Sequence, residues 1–323
     1  VSGAPHPRRA VFAALLAALP GCAAAQPGSL LTWPFALPDL PAGSVLRPLG
    51  GLEISPALLG FGGLSGLHIA PDLTVTVVSD VARFAEFTLV LDAHSRPLRL
   101  VLHRAGHLRD GAGRPLPRGH ASDAEALARL PDGSWLIAYE RWHRIRRHAT
   151  LDGPGTYVEA PPGLGRAPAN GGLESLAVLA DGRWLALAED LALPEAPGLT
   201  AGWLGGPGAW TPIGWRPAPG MQPVDAAPLP DGGALVLERG FSFFGGFSAR
   251  LTRVAATELA AVRAGSVLEG EEILSFAPPL PVDNYEGVAV VRHQGRQLVG
   301  IVSDDNENRL QRTLLLLFDM LPS

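Results

Sequence analysis

Acidic residues recur in this chain in pairs that straddle short turns. Glu125 and Glu140 are symmetric about Asp132-Gly133, and Glu174 and Glu189 about Asp181-Gly182. Asp225 and Glu238 are symmetric about Asp231-Gly232. Ser65 and Asp80 flank Pro71-Asp72 with the same separation as the first two pairs, and Glu286 and Asp304 flank a longer turn. Residues equidistant from a tight turn lie opposite each other in an antiparallel hairpin, so each pair is expected at the open end of its hairpin. Massed carboxylates repel, and they must be protonated, paired with Arg, or neutralised by a cation. An all-oxygen setting with Asn170 and Asn284 nearby suits Ca²⁺, and Mg²⁺ less well. The cations nearest these acids are Arg141 and Arg239. Asp132, Asp181 and Asp231 read as turn residues.

Other chemistries find little support. Gly63-Leu-Ser-Gly-Leu67 lacks the last glycine of a nucleophile elbow, and Ser65 has no identifiable base. Neither His-Glu-x-x-His nor a phosphate-cradling Gly-Lys loop is present. His103 with His107, and His143 with His148, are isolated pairs expected on loops, not a zinc set.

The elements that must position the acids form a repeat. Five segments read as strand, turn, strand, at a spacing that suits a four-stranded propeller blade with its loops. Their strands are near-continuous apolar runs, as expected of strands buried on both faces. Trp135 and Trp184 lie inside the repeats and read as blade packing. Val45–Ile54 has no preceding partner strand and Arg312–Phe318 no following one, so the two ends are expected to share a blade and close the ring. The expectation is an all-β propeller of five visible hairpin repeats, with five or six blades. One short helical stretch is expected near Thr257–Val262. No linker or charge block divides residues 27–323, which are expected to form one domain.

The chain has 323 residues, 39 Gly and 31 Pro, a proportion that suits many turns. All 26 basic residues are Arg, and the net charge of −5 argues against a nucleic-acid partner. Arg8-Arg9, the apolar run Ala10–Leu19 and the small residues Ala23 and Ala25 read as an export signal over residues 1–26. The paired arginines resemble a twin-arginine signal, and the run is too short to span a bilayer. Cys22, the only cysteine, offers an alternative as a lipid attachment site. The mature protein is expected to be periplasmic or secreted and free of disulfides.

Several stretches, taken together, resemble the bacterial phytase-like family described as having esterase-like activity of phytase. They are Gly62-Gly-Leu-Ser-Gly66, Asp123-Ala-Glu-Ala-Leu127, Tyr139-Glu-Arg141 and Asn170-Gly-Gly-Leu-Glu-Ser-Leu176. Further on come Pro230 through Arg239, Asp283-Asn-Tyr-Glu-Gly287, Ser303-Asp-Asp-Asn306 and Gln311-Arg-Thr-Leu314. The resemblance covers roughly Gly62 to Phe318. It implies a periplasmic propeller with phosphatase or esterase activity and acidic metal ligands. On that reading Glu125, Glu174, Asp225 and Glu286 serve as metal ligands or bases, with Asp304 as a further ligand. Ser65, Arg141, Arg239, Asn170 and Asn284 contact a small anionic or ester substrate, and no organic cofactor is implied. The chain has no Lys, so efficient phytate hydrolysis is not expected. Two alternatives remain: a non-catalytic periplasmic propeller that binds a ligand or protein, and a lactonase-type propeller of the gluconolactonase kind.

Overall fold

A computed structural model describes residues 31–308 and 311–322. The expected export signal and Cys22 lie outside the described residues. The strands form five sheets. Blade 1 comprises Leu64–Ile69, Thr74–Ser79, Arg83–Leu91 and Pro97–His107. Blade 2 comprises Ala124–Arg129, Trp135–Tyr139, Arg144–His148 and Gly155–Val158. Blade 3 runs Leu173–Val178, Trp184–Ala192, Thr200–Gly205 and Thr211–Trp215, and blade 4 runs Gln222–Pro228, Ala234–Ser242, Gly246–Val254 and Glu271–Phe276. In blade 5, Tyr285–His293, Arg296–Ser303 and Thr313–Met320 are joined by the N-terminal strands Leu46–Ile54 and Thr32–Phe35.

The first strand of each blade contacts the first strand of the next, and blade 4 contacts blade 5, which contacts blade 1. The ring is therefore a closed five-blade propeller with the five first strands innermost. Closure is the expected one: Leu46–Ile54 pairs antiparallel with Thr313–Met320, from Leu46↔Met320 to Ile54↔Thr313. The two ends of the sequence are thus held by ladder hydrogen bonds and by burial of Leu52, Leu315 and Leu317.

Local chemistry explains the hairpins. Asp72, Asp132, Asp181 and Asp231 each accept a hydrogen bond from the backbone N–H two residues on, at 2.9–3.0 Å. Such side-chain-to-backbone bonds pre-form the turn. The next position needs a positive φ, which Gly133, Gly182 and Gly232 supply and Leu73 adopts in blade 1. Packing between blades is apolar, with interlocking layers such as Leu136, Leu176, Ala186 and Trp203 between blades 2 and 3. Near the axis there is no room for a larger residue. A Cβ on Gly66 would fall 2.7 Å from Leu127 Cβ of the next blade.

Blades 3 and 4 are also stitched together. The excursion between the last two strands of blade 4 contains the helix Ala256–Ala261 and a short strand, Val267–Leu268, which pairs parallel with Gly214 and Trp215 of blade 3. The helix falls where the sequence places it. The histidines do not: His103, His107 and His148 lie within strands, and only His143 is in a turn.

Candidate functional site

The second strand of every blade runs away from its hairpin turn and ends at the same mouth of the ring. There the innermost hairpin has a register shift in all five blades: Leu64/Leu67, Ala124/Ala126, Leu173/Ser175, Pro223/Asp225 and Tyr285/Gly287. Each shift inserts one extra residue on the first strand, and such a bulge re-aims the side chain it carries. The bulged residues are Ser65, Glu125, Glu174, Val224 and Glu286.

This changes the expected pairing. Glu140 is opposite Asp123, whose carbonyl accepts the Glu140 N–H at 2.8 Å, and Glu189 bonds likewise to Gly172 at 2.8 Å. Asp304 bonds to Asn284 at 2.8 Å and Asp80 to Gly63 at 3.0 Å. The mouth therefore carries two staggered rings. One holds Ser65, Glu125, Glu174, Val224 and Glu286; the other holds Asp80, Glu140, Glu189, Arg239 and Asp304.

Blade 4 departs most from expectation. Its bulge position holds Val224, and Arg239 occupies the place that Glu140 and Glu189 take in their blades. Asp225 and Glu238 sit one residue deeper. Asp225 is buried, with Oδ1 accepting from Ala226 N at 2.8 Å and Oδ2 from Val288 N of blade 5 at 2.8 Å. Glu238 accepts from Trp215 Nε1 and Ala218 N, both at 3.0 Å, and from Arg250 Nε at 2.7 Å. Both carboxylates thus cross-link the fold, with their oxygens committed to protein donors.

The remaining acids form a connected cluster. Asp123, Glu125 and Glu140 can each present a ligand oxygen within 4.8 Å of the others, and so can Glu140, Glu174 and Glu189. Glu140 belongs to both groups. It is held by Gly172 N–H, which donates to its Oε1. Gly172 has to be glycine, because a Cβ there would overlap His143 Nδ1. His143 Nε2 is 3.2 Å from Ala167 O and donates its proton to it. That buried Nδ1 has no partner among the described residues.

Burial dominates the electrostatics. It pushes Glu140 up to about 7, with Glu189 and Asp123 adding repulsion against the Gly172 hydrogen bond. Glu125 and Glu174 are raised well above the carboxylate range by burial and then by neighbouring acids. Burial likewise pushes Glu286 to about 8, Asp304 to about 7 and Asp80 to about 6. Arg239 partly offsets this charge, lying 3.1 Å from Glu286 and 3.4 Å from Glu189. Its Nε is buried and has no partner among the described residues. Arg141 lies 2.5 Å from Asp123, is partly exposed and adopts a positive φ.

The other expected residues divide. Ser65 is buried in the ring, and its hydroxyl donates to Gly63 O at 3.5 Å. Asn284 is buried, its Nδ2 3.5 Å from Asp304 Oδ2, with Oδ1 unpartnered among the described residues. Asn170 is exposed on the loop that leads into blade 3. Asp123 was not expected as a ligand, although it stands only two residues before Glu125. His143 pairs with His148 in the sequence reading, whereas the fold brings it, from the turn that follows Glu140, against Gly172 of blade 3.

The cluster passes an elementary test as a cation site. Its donors are oxygens only, they are buried or half-buried, and their protonation is strained in the direction that a bound cation would relieve. Acidic side chains of this chain could therefore hold a metal ion.

A closed five-blade propeller with carboxylates gathered at one mouth defines the class of protein. The chain belongs to the phytase-like family described as "esterase-like activity of phytase", whose family model matches residues 59–307. No curated protein matches it. Among solved structures it is similar to a PQQ-bound aldose sugar dehydrogenase from Streptomyces coelicolor, at 14% identity and TM-score 0.46, covering 86% of this chain and 99% of that one. A protein provisionally assigned as a gluconolactonase is similar at 12% identity and TM-score 0.43, covering 89% and 99%. A virginiamycin B lyase from Staphylococcus aureus follows at 10% identity and TM-score 0.39, covering 87% and 82%. These likenesses are too distant to bear on chemistry.

Proposed function

We propose that this chain is an exported, divalent-cation-dependent hydrolase of small phosphate or carboxylic esters. The observation that supports it most is the pair of acid triads sharing Glu140. Asp123, Glu125, Glu140, Glu174 and Glu189 would hold the ion. Ca²⁺ fits such a set of carboxylates better than Mg²⁺, which keeps more of its water. When bound, the ion supplies Lewis acidity to an ester oxygen and lowers the pKa of an attacking water.

The chain's own residues do the rest. Arg239 holds a guanidinium beside the acid rings for an anionic oxygen of the substrate and is kept charged by Glu286 and Glu189. Asp304 and Glu286, at about 7 and about 8, can take up or release a proton near neutral pH. Asn284 donates to Asp304 Oδ2 from its Nδ2. Asp225 holds blade 4 against blade 5 and is a positioning residue.

The test is turnover of p-nitrophenyl phosphate, p-nitrophenyl acetate and a sugar δ-lactone by chelated protein, with Ca²⁺ then restored. The reading requires Ca²⁺-dependent turnover that Glu125→Gln with Glu174→Gln abolishes. Preference for the lactone would move the assignment to a lactonase. Failure across all three substrates, with a small polar ligand raising the melting temperature, would make the mouth a binding site without catalysis.

A further inference from the structure

The mouth has a second feature that the acids do not explain. Blade 4's second strand runs past Arg239 to Ser242, and the turn that follows carries Phe243 and Phe244, 88% and 98% exposed. Phe241 is 63% exposed and packs against Phe247 of the returning strand, ring centroids 5.0 Å apart. Three residues of strand past Arg239 lift this tip about 10 Å beyond the acid rings. Trp142, in the turn after Glu140, is exposed at the same end. So is Trp33, next to Thr32, which pairs with Ile54 at the mouth end of blade 5. Of the exposed aromatic residues described, only Tyr157 lies elsewhere, on the outermost strand of blade 2. Solvent-facing aromatics gathered on one face call for a partner.

The chain itself suggests which partner. It enters the propeller at this same end, where Leu31 O accepts the Ser55 N–H at 2.9 Å. The residues before it include the apolar run Ala10–Leu19 and Cys22. Nine residues separate Cys22 from Thr32, a reach of at most about 30 Å. Any membrane attachment of that segment, by lipid or by its apolar run, would hold the aromatic face toward the bilayer. Charge narrows the choice. The chain's net charge of −5 disfavours an anionic lipid surface, whereas exposed aromatic rings attract ammonium headgroups.

We propose that the mouth face is a membrane-docking surface, with the Phe243-Phe244 tip and the two tryptophans seated among zwitterionic headgroups. Aromatic side chains favour that interfacial layer, and the apolar area they bury sets the strength of binding. The inference is independent of what the acid cluster binds.

Flotation of the full chain with phosphatidylcholine vesicles tests it. Wild type should float with the vesicles. Phe243→Ser with Phe244→Ser should weaken binding at least about tenfold, and Phe243→Leu with Phe244→Leu should retain it. Replacing a third of the lipid with phosphatidylglycerol should weaken the wild type. The serine variant must keep the wild-type melting temperature, which an exposed tip allows. Failure of the wild type to float overturns the proposal, as does a serine variant that floats like wild type, since the N-terminal segment alone would then account for binding. A dimer that the serine changes abolish, in a wild type that does not float, would assign the tip to a second copy of the chain and also overturn it.

Discussion

Replacing Glu286 with Gln isolates the cost of gathering acids at the mouth. In the folded chain Glu286 is moved from an ordinary 4.5 to about 8, by burial first, with Asp304 and Glu189 adding to it and Arg239 opposing it. The folded protein therefore holds a proton at pH values where the unfolded chain has released it. Stability from this group is complete below about pH 4.5 and is lost as pH rises through about 8. At about 1.4 kcal/mol for each tenfold change in proton affinity, the full loss is about 5 kcal/mol. Glu286→Gln cannot ionise and so lacks this pH dependence, while Arg239 keeps Glu189 as a partner. Urea unfolding at intervals from pH 4.5 to 9, without divalent cations, should show the two proteins close together at the acid end. The variant should be more stable by about 4–5 kcal/mol at pH 9. Parallel stability curves across the whole range would refute the reasoning, because Glu286 would then ionise equally easily folded and unfolded.

Gly63→Ala should destabilise the protein by roughly 2–4 kcal/mol, since Gly63 has a φ of +70° and a Cβ there would collide with Asp80 Oδ1. Gly43→Ala, at φ +87° with nothing within 4 Å, should cost only about 1 kcal/mol, so equal urea midpoints for the two variants would contradict the packing argument. Leu52→Ala, in the N-terminal strand that completes blade 5, should lower unfolding free energy by about 2–5 kcal/mol. A loss under 1 kcal/mol in urea unfolding would mean that the closing strand adds little to the ring.

The repeated hairpin and the ring closure were legible because each rests on local chemistry, while the choice between five and six blades waited for the fold. An Asp that caps its own turn is recognisable wherever it recurs, and a strand with no sequence neighbour must pair with the other unpaired end. The site was legible only in part. A bulge adds one residue to one strand and leaves the turn unchanged, so symmetry about the turn paired Glu140 with Glu125 when its true neighbour is Asp123. The useful signal was the constant offset from the turn Asp. Ser65, Glu125 and Glu174 each stand seven positions before it, and Asp80, Glu140 and Glu189 eight after. Counted that way, blade 4 supplies Val224 and Arg239, not Asp225 and Glu238. The approach of His143 to Gly172 and the two-residue strand Val267–Leu268 are tertiary contacts with no periodic signature.

The central claim is that the acids at the mouth form one cation site through Glu140. Calorimetric titration of Ca²⁺ into the wild type and into Glu140→Gln tests it most directly. Gln retains the oxygen that accepts from Gly172, so the local fold should persist. Saturable binding by the wild type, weakened at least about tenfold in the variant, is the predicted result. Equal affinity in the two proteins, or no binding by the wild type at millimolar Ca²⁺, would contradict it.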